Sequence, residues 1–150
     1  MSVTRLENVG IVVEDLAATV AFFVELGLEL EGEMKVDGSW AARVAGFDEV
    51  ELEVAMVRTP DGTSRLELMR YHNPTAIPSD PTAPPNTMGI RRLLFAVDDV
   101  DDTVARLRRH GAELVGEVEQ IGAAFRMCYL RGPEGIIVAL AEELGSGRSG

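Results

Sequence analysis

The sequence predicts an α+β fold of paired βαβββ modules, each building a four-stranded sheet, with the two sheets curled around a shared cleft. Three observations predict it. Residues 6–33 align without a gap on residues 90–117 at a constant offset of 84, with 10 identities in 28 positions. Both copies open with a short apolar run, then an aspartate, then apolar residues at helical spacing closed by a glycine. Both also carry a matching turn further on, Arg58-Thr59-Pro60-Asp61-Gly62 in the first and Arg131-Gly132-Pro133-Glu134-Gly135 in the second.

Leu6 to Val13 is a strand by its short, β-branched apolar run. Asp15 is placed to cap a helix, its carboxylate accepting the free backbone N–H groups of the first turn. Leu16, Val20, Phe23, Val24 and Leu26 follow at helical spacing. Gly27 ends the helix, because glycine takes the required backbone conformation without a Cβ clash. Leu28 to Lys35 is the next strand, and Trp40 to Phe47 is ambiguous, with Trp40 expected in the core rather than as a lid. Val50 to Thr59 and Thr63 to Tyr71 flank Pro60-Asp61-Gly62 and form a hairpin.

The second half repeats this order. Ile90 to Val97 is a strand, Asp99 caps a helix carrying Val100, Val104 and Leu107, and Gly111 closes it. Glu113 to Glu119, Ala124 to Leu130 and Ile136 to Ala141 are three strands. Residues 1–71 are thus the first module, 72–88 a proline-rich linker without regular structure, 89–143 the second module, and 144–150 a Gly/Ser-rich flexible tail.

Composition narrows the function classes. The formal net charge of -11 argues against nucleic acid and against anionic membrane surfaces, since both need a basic face. The single cysteine, Cys128, cannot form an internal disulfide, which fits a reducing, cytoplasmic setting. No apolar run approaches membrane-spanning length, and the N-terminus has no signal-peptide pattern. The paired acidic residues Asp98-Asp99 and Asp101-Asp102 lack the glycine and closing glutamate of a calcium loop, and helix capping explains them.

Asn8-Val9-Gly10-Ile11-Val12-Val13-Glu14-Asp15-Leu16 with Phe22-Phe23 and Leu26-Gly27-Leu28, and Arg92-Leu93-Leu94-Phe95-Ala96-Val97-Asp98-Asp99-Val100 with Gly132-Pro133-Glu134-Gly135, carry a family resemblance. In these stretches the chain resembles the vicinal oxygen chelate superfamily, which includes glyoxalase I, extradiol dioxygenases, methylmalonyl-CoA epimerase and bleomycin-resistance proteins. The resemblance covers residues 5–143. It implies one metal-ligand position near the start of the first strand and one in the last strand of each module, usually His or Gln, Glu, His and Glu. Those positions fall here on Asn8, Glu67, Arg92 and Ala139. The resemblance also implies a homodimer.

Only Glu67 is a good ligand for a divalent cation. Asparagine offers a neutral carbonyl oxygen, arginine a fixed cation with no lone pair, and alanine nothing, whereas a catalytic metal takes about three protein ligands. No cofactor is therefore expected, with a divalent metal kept as the lesser alternative. Strand alternation puts Asn8, Gly10 and Val12 on the cleft face with Arg92, Leu94 and Ala96, joined by Glu67, Met69, Ile137, Ala139 and Ala141. The expected site is an apolar pocket for a small molecule, with Asn8, Glu67, Met69, Arg92, Leu94 and Ala139 binding the ligand and His72 at its mouth. Arg92 is expected to pair with Glu67 and to fix a carboxylate or enolate. Glu67, if desolvated, is the candidate general base, and an ion pair that merely closes the cleft is the plain alternative. Two function classes follow: metal-independent small-molecule binding or atypical conversion, and a metal-dependent glyoxalase-type lyase, epimerase or dioxygenase. Whether the protein is an enzyme stays open at this point.

Overall fold

A computed structural model describes residues 2–145. The chain divides into two compact units between Ser79 and Asp80, inside the expected linker. The boundary sits there because the first unit's last strand runs from Arg65 to Asn73, while Pro81 and Ala83 are tied to the second unit by Arg131. The tail expected from residue 144 is anchored at its start, where the Leu144 N–H donates to Ala124 O; its remainder from 146 lies outside the described residues.

In the first unit the order is β1 (Val9–Val12), α1 (Leu16–Leu26), β2 (Glu29–Asp37), α2 (Ser39–Ala45), β3 (Glu51–Arg58) and β4 (Arg65–Asn73). The strands lie in the order β1-β4-β3-β2, with β1 parallel to β4 and the other pairs antiparallel. Asp15 caps α1 by accepting from the Ala18 N–H. The helix buries Thr19, Phe22, Phe23 and Leu26, a stripe at i, i+3, i+4 and i+7. Val24, expected inside, is 46% exposed, because that stripe rotates it off the sheet. Under α1 lie Val13, Ala55, Val57, Leu66 and Leu68, all buried.

The ambiguous segment resolves as α2. It packs Ala41 and Ala42 on Val36, Leu52, Val54, Met69 and Tyr71, the sheet face opposite α1 by strand alternation. Trp40, expected in the core, is 62% exposed; the two alanines fill the contact and leave the indole outside.

The second unit runs β5 (Arg92–Ala96), α3 (Val100–Arg108), β6 (Glu113–Leu114), β7 (Glu119–Ile121), β8 (Phe125–Arg131) and β9 (Ile137–Glu143), with a single 3-10 turn at Pro133–Gly135. The order is β5-β9-β8-β6, with β7 also pairing β8. The strand expected at Glu113 to Glu119 is thus broken in two. Leu114 faces Leu130 and Glu119 faces Met127, so five steps on one strand span three on the other. The first module shows a milder irregularity between Leu30 and Gly32. Gly32 and Gly116 are mates at the repeat offset, and glycine weakens strand pairing at both places.

The repeat reaches the hydrogen bonds. The only buried polar residues of the described chain are Thr19 and Thr103, mates at the same offset. Each hydroxyl donates to the carbonyl of its capping aspartate at 2.7 Å, so neither group is buried unsatisfied. Asp99 caps α3 through the Asp102 N–H, and α3 buries Val100, Thr103, Val104 and Leu107. Cys128 is buried and unpaired, and burial pushes its thiol up.

Candidate functional site

Each sheet has one face under α1 or α3 and one face opposite, and in the first unit α2 covers part of that opposite face. In the first unit the opposite face carries Gly10 and Val12 from β1, Glu67, Met69 and Tyr71 from β4, and Val54 and Met56 from β3. The register sets Gly10 beside Glu67 and Glu67 beside Met56. Asn8, two residues before Gly10, shares this face by alternation. Both Asn8 and Glu67 are half-buried. Among the described residues neither side chain makes a hydrogen bond or an ion pair. Met69 lies over Gly10, with its Cε 2.9 Å from where a Cβ would stand. Glu67 therefore stands without an ion pair beside methionine, glycine and valine, on a face whose arginines, Arg58 and Arg65, are both paired with Glu31.

The second unit repeats the geometry with different chemistry. Leu94 is set beside Ala139 as Gly10 is beside Glu67, and Arg92 precedes Leu94 as Asn8 precedes Gly10. The four family positions are thus equivalent by strand pairing as well as by sequence. Ala139 is fully buried, while Leu94 is 53% exposed. The Arg92 guanidinium lies over the Tyr129 ring, 5.4 Å from its centroid, within cation–π range. It makes no ion pair among the described residues; the cationic contact it does make is with an aromatic ring.

His72 is not brought to this face. Its Nε2 lies 2.7 Å from Glu53 Oε2, on the side of the sheet that α1 covers. The irregularity between Glu51 and Leu52, which pair with Asn73 and Tyr71, leaves His72 unpaired and turned toward Glu53. That hydrogen bond is the first cause holding the Glu53 carboxyl below its ordinary value. An open groove of about 790 Å³ runs along this same side between the start of α1 and the strands, lined by Glu14, Asp15, Lys35, Glu53 and Arg70 among others. It contains none of the expected site residues, and its lining is acidic, with Glu14, Asp15, Glu33 and Glu53 against Lys35 and Arg70, Arg70 lying 3.8 Å from Glu14.

Neither unit's pair of positions fits a divalent ion by itself. Asn8 and Glu67 offer one amide oxygen and one carboxylate, too few donors, and Arg92 and Ala139 offer a guanidinium and a methyl group, which donate nothing. Among the described residues no three of His, Cys, Asp and Glu are grouped to hold one.

Tyr129 was missing from the expected site. A signal for it existed: a hairpin centred on Glu134 pairs residue 129 with 139, as the register shows. Arg131 was also missing. Its guanidinium donates to Pro81 O at 3.1 Å, Gly135 O at 3.2 Å and Ala83 O at 2.9 Å, bonds to backbone that no pattern of side chains announces.

Comparison with known proteins agrees with this plan. The family model described as Glyoxalase/Bleomycin resistance protein/Dioxygenase superfamily matches residues 5–140. The solved structure of a glyoxalase family protein from Bacillus cereus is 51% identical, covers 97% of both chains and superposes with a TM-score of 0.93. The uncharacterized protein YaeR of Escherichia coli K12 is 25% identical over 146 residues, 95% of this chain and 99% of its own. TnmS3, an antibiotic binding protein from Streptomyces, shares the fold at 20% identity and a TM-score of 0.62, over 95% of this chain and 98% of its own.

Proposed function

This chain belongs to the glyoxalase/bleomycin resistance protein/dioxygenase superfamily, and from that premise we propose that it is a metal-independent member that binds a small organic molecule on a sheet face opposite α1 or α3. The observation that carries the reading is the donor set Asn8, Glu67, Arg92 and Ala139, with Arg92 stacked on Tyr129 where the family expects a metal ligand. Beside these polar groups lie apolar side chains, Val12, Met56 and Met69 in one unit and Leu94, Ala139 and Met127 in the other, with the nearby Arg58 and Arg65 engaged by Glu31. Apolar walls with a few polar groups are the usual make-up of a small-molecule site. The antibiotic-binding Streptomyces protein shows that this fold accommodates such a role.

Glu67 supports a second reading, that of an atypical enzyme. A half-buried carboxylate without a partner is the residue type that takes a proton from a bound substrate, and removing the metal leaves it free to do so. Metal-dependent lyase, epimerase or dioxygenase chemistry has less support, since three of the four positions lack a ligand.

Thermal denaturation separates these readings. Chelator-treated protein should keep its Tm when magnesium, manganese, zinc, nickel or iron(II) is added. A bound organic ligand at about a hundred times its Kd should raise Tm by roughly 5–10 °C. Saturable stabilisation by one of the metals, and by no organic compound, would refute the proposal.

A further inference from the structure

The face of the second sheet opposite α3 is arranged in lines across the strands. Arg92, Ile137 and Arg131 form one line, Leu94, Ala139 and Tyr129 the next, and Ala96, Ala141 and Met127 the third. In the second and third lines the central residue is alanine. Leu94 and Tyr129 flank Ala139 in the second line, and Met127 alone rises beside Ala96 and Ala141 in the third, which leaves a shallow trough over those two alanines. Successive lines are about 7 Å apart, two residues of strand rise, so the trough spans a planar ring system.

Arg92 and Tyr129 stand on strands two apart, with β9 between them. A guanidinium crosses that distance only over a residue of small bulk, and Ala139 is that residue. Arg131 stands on the same face, but its guanidinium is committed to the three carbonyls of Pro81, Ala83 and Gly135. Carbonyls orient a cation without neutralising it. Among the described residues no carboxylate pairs with either arginine. The acidic residues that share this face by register are Glu113, Glu119 and Glu143, all exposed at its rim. Arg131 also acts on the Asp80 carboxylate, which it helps to hold below its ordinary value. On a chain with a formal net charge of -11, Arg92, which no carboxylate pairs among the described residues, is a specific feature beside an apolar trough.

We infer that this face recognises a small planar organic monoanion, its carboxylate on the Arg92 guanidinium and its ring beside Leu94 along the trough over Ala96 and Ala141. The inference rests on the metal-independent reading above and names the ligand class for it. A guanidinium presents a planar fork that matches a carboxylate with two parallel N–H···O bonds. The Tyr129 ring holds that fork in place beforehand, so less side-chain freedom is lost on binding. Leu94 and Met127 contribute apolar contact, Ala96 and Ala141 the space, and Ala139 the low crossing that lets the guanidinium reach Tyr129.

The test is isothermal titration of the full chain, freed of divalent ions, with 1-naphthoate and with 1-naphthamide. The two probes share a shape and differ in charge. The naphthoate is expected to bind about tenfold tighter or more, the ordinary yield of a charge-assisted pair. Arg92→Lys keeps the charge, loses the fork and should lose most of that preference. Ala139→Glu sets a carboxylate beneath the guanidinium and should abolish it, with Arg92→Lys as the informative variant if that protein does not fold. Equal binding of acid and amide, or an unchanged preference in Arg92→Lys, overturns the anion assignment and leaves metal-independent binding standing. Failure of naphthoate to bind overturns the inference outright. If a divalent ion then restores binding, the metal-independent reading falls with it.

Discussion

A methyl group added at residue 10 meets the mobile end of Met69, 2.9 Å away; one added at residue 135 meets the main chain of Pro81, 2.4 Å from its carbonyl oxygen. The first obstacle can swing aside and the second cannot. Gly135 also has a φ of 86°, in the left-handed region where a Cβ is strained. Gly10→Ala should therefore cost less than about 1 kcal/mol, and Gly135→Ala about 2 kcal/mol or more. Equilibrium urea unfolding of both variants checks this; equal costs would show that Met69 is as fixed as the backbone. The contrast also marks what single residues reveal in a sequence. Asn8, Glu67, Arg92 and Ala139 could be placed because a repeat fixes their register. The contact of Arg92 with Tyr129 depends on a side chain reaching across β9, which alternation does not describe. His72 was misplaced for a related reason, since one unpaired residue in β4 turns it toward Glu53.

Helices α1 and α3 begin alike, with an aspartate accepting from the third residue after it and a threonine returning a bond to that aspartate's carbonyl. Asp15→Ala and Asp99→Ala should each cost about 1 kcal/mol, and the double variant about the sum, because the caps belong to separate modules. Thermal or urea unfolding of the three proteins tests this. A double-variant cost well short of the sum would show that the caps are coupled. These helices were readable because caps, closing glycines and apolar spacing all agree. The α2 helix was not. Its seven residues carry only two buried positions, Ala41 and Ala42, and two alanines make no amphipathic stripe. The break between β6 and β7 was equally hidden, because Val115-Gly116-Glu117-Val118 reads as continuous strand while its partner supplies too few residues to pair with it.

Four carboxyl groups across both units are held below their ordinary values. Glu31 is held chiefly by a hydrogen bond from Arg65, Glu53 by one from His72, Asp61 by Thr59 and Asp80 by Thr82. Since the folded value lies below the ordinary one in each case, the folded state gives up its proton more readily. The stabilisation is complete above the ordinary values of 4.5 for glutamate and 3.8 for aspartate and is lost as pH falls through the lowered ones. Unfolding midpoints should therefore drop from about pH 4 downward. Asp61→Asn should flatten part of that drop while being the less stable protein at pH 7. A variant whose acid profile matches the parent would show that Asp61 takes no part. At this scale the fold was the most readable property, because duplication states the plan twice, and the ligand chemistry was the least. The duplication has one more consequence. Glu67 and Ala139 sit opposite Gly10 and Leu94 in strand pairings of the same kind, so each half carries its share of the site as interchangeable side chains on an unchanged frame. A lineage can therefore exchange the reagents of one half, a metal-binding residue for a guanidinium or a carboxylate for a methyl, while the other half goes on folding from the original blueprint.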